Sequence, residues 1–153
     1  MSLGTAAGNL GRGLTAGLAG TAAITVSQLV ESKLRGREPS TTPAQAGGEV
    51  LGVEPKGDTE AKRFSNVMHW AYGTGWGAVR GALGSVGLPA WAATGAHFAA
   101  VQGTAMTMLP ALDVAPPVKQ WGGAEVASEA LHHAVYALVA GAAFDYLVRH
   151  ATR

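Results

Sequence analysis

The formal charges of this chain are confined to a few stretches, and this placement limits what the chain can fold into. Twelve charged side chains lie between Glu31 and Arg63. Residues 13–30 carry no formal charge, and from Phe64 to Leu112 the only charged side chain is Arg80. A helix on the surface of a water-soluble bundle needs a polar face along its length. Because whole segments lack such a face, the sequence favours membrane helices over a water-soluble, alanine-rich bundle.

Four segments of the chain are long enough to cross a bilayer, which takes about 20 predominantly apolar residues. Residues 87-GLP-89 leave room only for a tight turn, so the second and third segments are predicted to be antiparallel neighbours. We predict an all-α fold, an integral membrane four-helix bundle, with residues 1–153 as a single membrane domain. The predicted spans are residues 10–31, 64–84, 89–110 and 126–148, and residues 32–62 form a polar loop.

The two halves of the chain share two short matches. Residues 20-GTAAITV-26 resemble 103-GTAMTML-109, and the His-x-x-Tyr spacing of residues 69–72 recurs at residues 133–136. A duplication of two helices would relate the halves by an axis along the membrane normal. Short matches also arise by chance in Gly- and Ala-rich sequence. The bundle is therefore either two repeated helical hairpins or four unrelated helices.

Composition and motifs exclude several kinds of chemistry. The chain has no cysteine, so it can form neither a disulfide nor a thiolate metal site. Its net charge of +1 does not suggest a nucleic-acid partner. No Gly-rich phosphate loop, nucleophile elbow or pair of catalytic carboxylates occurs. We therefore expect a protein that is not an enzyme.

Small residues recur every four positions in the predicted spans and form smooth ridges. Helices in a bilayer associate through close backbone approach and dispersion contacts, which small side chains permit. We therefore expect these glycines to pack helix against helix. They are Gly73, Gly77 and Gly81 in the second span, Gly95 and Gly103 in the third, and Gly141 in the fourth.

Arg80 and Asp145 are predicted to form an ion pair. They lie near the same ends of the second and fourth spans, and therefore at similar depth. An unpaired charge in hydrocarbon is costly, and pairing is the usual remedy. We expect this pair to be structural.

Polar side chains of all four spans are expected at one depth, on the side of the long loop. Glu129, His132, His133 and Tyr136 follow an i, i+3, i+4, i+7 spacing, which places them on one helical face. Ionisable groups at membrane depth indicate a functional site by default. This predicted polar layer consists of Gln28, Glu31, His69, Gln102, Glu129, His132, His133 and Tyr136.

Three interpretations of the polar layer stay open. In the first, its side chains satisfy one another and hold the helices in register. In the second, a histidine beside a glutamate forms part of a proton or ion path. In the third, His69, His132 and His133 bind haem, a metal or a quinone, although no haem-specific motif is present. The sequence itself demands no cofactor.

The sequence also resembles the YagU-like family of small bacterial inner-membrane proteins. The resemblance rests on 13-GLTAGLAGTAAITVSQLVES-32 followed by 35-RGREPS-40, on 69-HWAYG-73, and on 109-LPALDVAPP-117 before a His-bearing last helix. It covers most of the chain by pattern rather than by a diagnostic motif. It implies a multi-pass protein of the bacterial inner membrane and assigns no catalytic residue.

These observations favour a non-enzymatic polytopic membrane protein. Its first expected partner is the lipid bilayer. We also expect it to be a subunit of an oligomer or an accessory subunit of a larger membrane complex, with its small-residue ridges as the contact surfaces. One alternative is a small transporter or a proton or ion channel that uses the polar layer. The other is a haem-, metal- or quinone-binding membrane subunit.

Overall fold

The computed structural model describes residues 3–36 and 40–151, which fold into five α-helices without a β-strand. The helices are α1 (Leu3–Arg35), α2 (Thr42–Leu51), α3 (Asp58–Ser85), α4 (Ala90–Ala111) and α5 (Gly123–Ala151), and a 3-10 turn, Val118–Gln120, precedes α5. The prediction of an all-α fold is thus confirmed for this part of the chain. Residues 37–39, which belong to the predicted polar loop and to the RGREPS segment, lie outside the described residues.

The predicted polar loop contains a helix of its own, α2. Pro43 occupies its first turn, where a missing N–H costs nothing, and Gly52 ends it with a φ of 64°. No side-chain hydrogen bond caps its first turn. Gly47 of α2 contacts the side chain of Met68 in α3, so α2 packs on the outside of the long helices.

The four long helices form a bundle in which α1 and α4 lie on opposite sides, each in contact with both α3 and α5, and α1 makes the closer contacts. Paired contacts give the directions. Along α1, Thr25 contacts His69 and Asn9 contacts Ser85, so α1 and α3 run antiparallel. Likewise, α5 runs antiparallel to α1, because Ser27 contacts His132 and Gly20 contacts Tyr136. It also runs antiparallel to α4, because Gln102 contacts His133 and Thr94 contacts Gly141.

The surface between α1 and α3 is a contact of backbone against backbone, which we call the α1–α3 seam. A Cβ atom at Gly17 would lie 2.7 Å from the carbonyl oxygen of Thr74 and 2.9 Å from the Cα of Gly77. Gly13 packs against the carbonyl oxygen of Gly77, and Gly81 against that of Asn9. Any side chain here would force the helices apart, so glycine is required by the closeness of the two backbones.

Many large apolar side chains of α1 and α5 lie on the outside of the fold. Leucines and valines of these two helices point outward, Leu18 with 47% of its surface exposed. The full outward set comprises Leu3, Leu10, Leu14, Leu18, Val26, Leu29, Val30 and Leu34 of α1 and Leu131, Leu138 and Val139 of α5. The buried side chains of the same helices are mostly small, such as Ala16 and Ala140, together with the larger Ile24, Tyr136 and Phe144.

By length and apolar composition, two of the described helices, α1 and α5, can cross a membrane. On this criterion, two of the four predicted spans qualify, those formed by α1 and α5. The other two long helices have sufficient length, 28 residues in α3 and 22 in α4. Their most apolar stretches do not reach the hydropathy of those in α1 and α5.

The two predicted hairpins, α1–α3 and α4–α5, are both packed antiparallel pairs, but equivalent positions in them have different surroundings. Tyr136 is 2% exposed, whereas its sequence equivalent Tyr72 is 44% exposed. Gly77 packs against α1 backbone, whereas Gly141 packs against the Thr94 side chain. The internal sequence matches therefore do not correspond to matching contacts.

Candidate functional site

Four members of one polar cluster connect α1 and α5. Ser27 Oγ lies 2.8 Å from His132 Nδ1, and Ser128 Oγ donates a 2.8 Å hydrogen bond to Glu31 Oε1. His132 Nε2 is 3.5 Å from Glu31 Oε2, and the His132 side chain is buried. Glu31 also pairs with Arg35 one turn farther along α1 at 3.1 Å. We call Ser27, Glu31, Ser128 and His132 the α1–α5 cluster.

The α1–α5 cluster places a serine, a histidine and a carboxylate in the order used by serine hydrolases. Such enzymes also need backbone donors aimed at the developing oxyanion. Ser27 lies in the interior of the 33-residue helix α1, where the helical hydrogen bonds use the neighbouring N–H groups. The backbone of α1 therefore offers no such donor beside Ser27, and the contacts of the cluster join α1 to α5.

A second cluster connects α4 and α5. His133 Nδ1 is 2.6 Å from Gln102 Oε1, so the imidazole donates and the amide oxygen accepts. The other ring nitrogen of His133 lies 4.0 Å from Glu129 Oε2. Because Glu129 is four residues before His133, both side chains are on the same face of α5. We call Gln102, Glu129 and His133 the α4–α5 cluster.

The remaining members of the predicted layer have contacts of their own. Thr25 Oγ1 donates to the Thr21 carbonyl oxygen at 2.7 Å and lies 2.9 Å from His69 Nε2, so His69 is the donor to Thr25. Tyr136 donates its hydroxyl to the Gly73 carbonyl oxygen at 2.6 Å. Gln28 is half-buried and makes no side-chain hydrogen bond with the described residues.

The predicted polar layer is thus divided among separate helix pairs instead of meeting in one site. His132 and His133 are adjacent in sequence and therefore point about 100° apart on the helix, and they contact α1 and α4 respectively. Within residues 3–36 and 40–151, no group of three or more His, Asp or Glu side chains is placed to hold a metal ion. The structure does not bring His69, His132 and His133 together as one ligand set.

The structure brings Arg80 and Asp145 together, as the sequence suggests. Arg80 Nη2 donates a 2.6 Å hydrogen bond to Asp145 Oδ1, and the Arg80 guanidinium carbon lies 4.4 Å from the centre of the Phe144 ring. Arg80 is 1% exposed. This pair joins α3 to α5 and neutralises the only charge between Phe64 and Leu112.

His97 lies in the middle of the bundle and is bonded to the backbone, as is usual for a lone buried histidine. Its Nε2 donates to the Trp76 carbonyl oxygen at 3.0 Å. The Tyr136 ring packs against it, with ring centres 5.5 Å apart. The Nδ1 atom of His97 contacts no donor or acceptor among the described residues.

Four of the six predicted packing glycines lie against other helices. Gly73 packs against Thr21, Gly77 and Gly81 form part of the α1–α3 seam, and a Cβ at Gly141 would meet the Thr94 hydroxyl oxygen at 2.5 Å. Gly95 and Gly103 do not pack against another helix within a single copy. Neither glycine has an atom of the described chain within 4 Å of its would-be Cβ, because α4 turns this face away from α5.

Sequence reasoning missed the hydroxyl and amide groups that connect the predicted residues. Ser27 and Ser128 complete the α1–α5 cluster, and Asn9 Nδ2 donates to Ser85 Oγ at 3.0 Å. Part of this arrangement could have been predicted from helical spacing. Ser27 precedes Glu31 by four residues and Ser128 precedes His132 by four, which places each pair on one face.

Comparison with known proteins gives no match. No protein-family model matches this chain, and neither a curated protein nor a solved structure does.

Proposed function

We propose that this chain is a non-enzymatic polytopic membrane protein that crosses the bilayer four times, through α1, α3, α4 and α5, and assembles with further copies of itself. In keeping with its resemblance to the YagU-like family, we propose the bacterial inner membrane as its location. The polar clusters then hold the helices in register, which is a common role of polar side chains in membrane bundles.

The observation that carries this proposal is the apolar exterior of α1 and α5. Only 33% of the apolar stretch of either helix is buried inside the fold. In water, the outward leucines and valines would form a contiguous apolar surface of a kind that soluble monomers rarely expose. In a bilayer, the same surface is in contact with apolar lipid tails, and the helices pack against one another through small residues.

Satisfied polar groups explain how the less apolar helices α3 and α4 can share the bilayer. The Arg80 charge is paired with Asp145 inside the bundle, and His97 donates to a carbonyl oxygen of α3. His69 and Gln102 likewise have partners on neighbouring helices. Polar groups are costly in hydrocarbon mainly when they lack hydrogen-bond partners.

Assembly is proposed through the outward face of α4, which we call the α4 stripe. Gly95, Ala99, Gly103 and Thr107 recur every four residues and are all exposed. The same spacing of small residues forms the α1–α3 seam, where two backbones meet. A second copy that presents its own α4 stripe would allow an equally close approach.

The absence of cysteine permits a direct test of membrane insertion, because single cysteines can be introduced without removing others. In sealed vesicles, Glu54→Cys in the long loop and Val86→Cys in the tight turn should react with a membrane-impermeant maleimide from opposite sides. Leu18→Cys, in the middle of α1, should not react until the bilayer is dissolved. Rapid labelling of Leu18→Cys in intact vesicles would disprove the membrane proposal.

Assembly is tested by oxidation of a Thr107→Cys variant in the same vesicles. A disulfide-linked dimer should form, and the added substitution Gly103→Leu should abolish it because the larger side chain separates the two backbones. The matched control is Ala22→Leu, a change of an exposed small residue on α1, which should leave the dimer intact. A protein that stays monomeric in every variant would disprove assembly through α4.

The second candidate function is a small proton or ion transporter. The observation that favours it is the α4–α5 cluster, in which the half-buried Gln102 and His133 and the more exposed Glu129 form a polar row in the first half of α5. Reconstituted vesicles should then show proton flux that falls in His133→Ala. Flux no greater than that of empty vesicles would eliminate this candidate.

A further inference from the structure

We propose that α2 is an interfacial helix, which lays its apolar face on the lipid acyl chains beside α3, on the side of the bilayer where the long loop lies. The inference rests on the proposed function, because it takes the long helices to cross a bilayer. It goes beyond that function because it gives the predicted polar loop, which none of the four spans includes, a membrane contact of its own.

The residues of α2 are divided between an apolar and a polar face. Ala44, Gly47 and Leu51 follow an i, i+3, i+7 spacing, which places them on one side of the helix. Gln45 and Glu49 lie on the opposite side and are exposed. The helix is therefore amphipathic along its 10 residues, which is the property of helices that lie in the plane of the membrane interface.

The apolar face of α2 is covered along its first half only. Ala44 and Gly47 are buried, and a Cβ at Gly47 would lie 2.7 Å from Cγ of Met68 in α3. One turn farther along, Leu51 is 57% exposed, and Val50, which borders the same face, is 64% exposed. Because the two halves belong to one face, whatever covers the second half lies beside α3.

The position of α2 along α3 corresponds to the boundary of the hydrocarbon. The charged side chains of α3 from Asp58 to Arg63 are exposed, and after Arg63 no charged side chain follows until Arg80. Met68 lies five residues beyond Arg63, which is about 7.5 Å along an α-helix. The covered half of α2 thus packs where the uncharged stretch of α3 begins. Interfacial helices bury their apolar face at this depth, where headgroups meet acyl chains.

Lipid fits the uncovered half of this face better than a protein surface does. The side chains of Val50 and Leu51 cannot supply the roughly 800 Å² per partner that a specific protein–protein interface buries. A bilayer requires no matching surface, and each apolar carbon that it covers contributes separately. The only charge on α2 is that of Glu49, which anionic headgroups would repel, so the contact depends on apolar burial alone.

Fluorescence quenching of the full chain in vesicles tests the inference. Because the chain has no cysteine, a bimane label can be attached to Leu51→Cys or, as the matched control on the opposite face, to Glu49→Cys. The label at Leu51→Cys should be quenched by phosphatidylcholine that carries a nitroxide on its acyl chain. The label at Glu49→Cys should be quenched by iodide in the water instead. Added phosphatidylglycerol should change neither result.

A second variant removes the apolar contact while the covered half of α2 stays intact. With the label at Val50→Cys, the substitution Leu51→Asp should abolish quenching by the lipid nitroxide and increase quenching by iodide, because a carboxylate is costly in hydrocarbon. Gln45→Asp adds the same charge to the polar face and should leave both kinds of quenching unchanged. Circular dichroism checks that each variant is folded.

Three outcomes would overturn the inference. Equal quenching of Leu51→Cys and Glu49→Cys by iodide would place the apolar face in water. Protection of Leu51→Cys from both quenchers would identify a protein cover, such as a second copy. Lipid quenching that appears only with phosphatidylglycerol would indicate attraction to headgroup charge. Failure of the membrane proposal would appear separately, as rapid maleimide labelling of Leu18→Cys in intact vesicles, so the two failures are distinguishable.

Discussion

The α1–α3 seam and the α4 stripe have the same kind of residues at the same spacing, yet only the first is covered within one copy. In the seam, Gly13 and Gly17 approach Gly77 so closely that the two backbones touch. On the α4 stripe, Gly95 and Gly103 contact nothing within 4 Å. A ridge of small residues therefore permits close packing, and the arrangement of the other helices determines whether another helix packs against it.

The position of each helix in the bundle explains this difference. Helix α1 lies between α3 and α5, so its small residues have a helix on either side to meet. Helix α4 also contacts α3 and α5, but it does so through the side chains of Thr94, His97 and Gln102, which leaves the face with Gly95 and Gly103 outside. Helix α4 thus has an unused packing surface, which supports the proposed assembly.

The largest effect that separates the two regions is expected from leucine substitutions. Gly77→Leu should abolish folding, because a Cβ there would lie 2.7 Å from the Cα of Gly17 and beside the Gly13 carbonyl oxygen. Gly103→Leu should leave the monomer folded. Circular dichroism and the elution volume in detergent measure both variants. A well-folded Gly77→Leu protein would show that the seam is not as close as described.

Much of the α-helical architecture is readable from the sequence because charge placement, turn residues and small-residue spacing act locally. The tight turn predicted at 87-GLP-89 separates α3, which ends at Ser85, from α4, which begins at Ala90. The pairing of Arg80 with Asp145 follows from their similar depth alone, since pairing removes the cost of two unpaired charges in the membrane.

Which helix each polar side chain contacts could not be predicted from the sequence, because it depends on the rotation of each helix about its own axis. A rotation of about 100° per residue sends His132 towards α1 and His133 towards α4. Spacing along one helix shows which side chains share a face, but it does not show which neighbour that face meets. The same reason explains why the spacing of Gly95 and Gly103 does not show whether they pack within one copy.

The second prediction extends the comparison to the polar contact that joins α3 to α5. Asp145→Leu should lower the free energy of unfolding by about 3 kcal/mol, because it leaves the buried Arg80 without its carboxylate. The double variant Arg80→Met with Asp145→Leu should recover most of the loss, since no unpaired charge remains. Unfolding by sodium dodecyl sulfate in mixed micelles measures both. Equal losses in the single and double variants would contradict a role for pairing.

A third prediction compares Tyr136 and Tyr72, which occupy equivalent places in the two hairpins. Tyr136→Phe removes the hydrogen bond to the Gly73 carbonyl oxygen and should cost about 1 kcal/mol, within the range for interhelical hydrogen bonds in membranes. Tyr72→Phe should change the free energy of unfolding little, because that side chain is 44% exposed. Equal losses at both positions would indicate that the halves are more symmetric than their contacts show.

The smallest expected effect has the opposite sign and tests the α4 stripe directly. Gly95→Ala should raise the free energy of unfolding of the monomer by about 0.5 kcal/mol, because alanine favours the helix and its Cβ meets no atom of the chain. Gly17→Ala should lower it, since a Cβ there would lie 2.7 Å from the Thr74 carbonyl oxygen. The measurement needs monomeric protein in dilute detergent, where no second copy covers the stripe. If both substitutions destabilise the monomer, Gly95 packs within one copy and the distinction between seam and stripe fails. If only Gly17→Ala does, the glycines of α4 are free for a contact between copies.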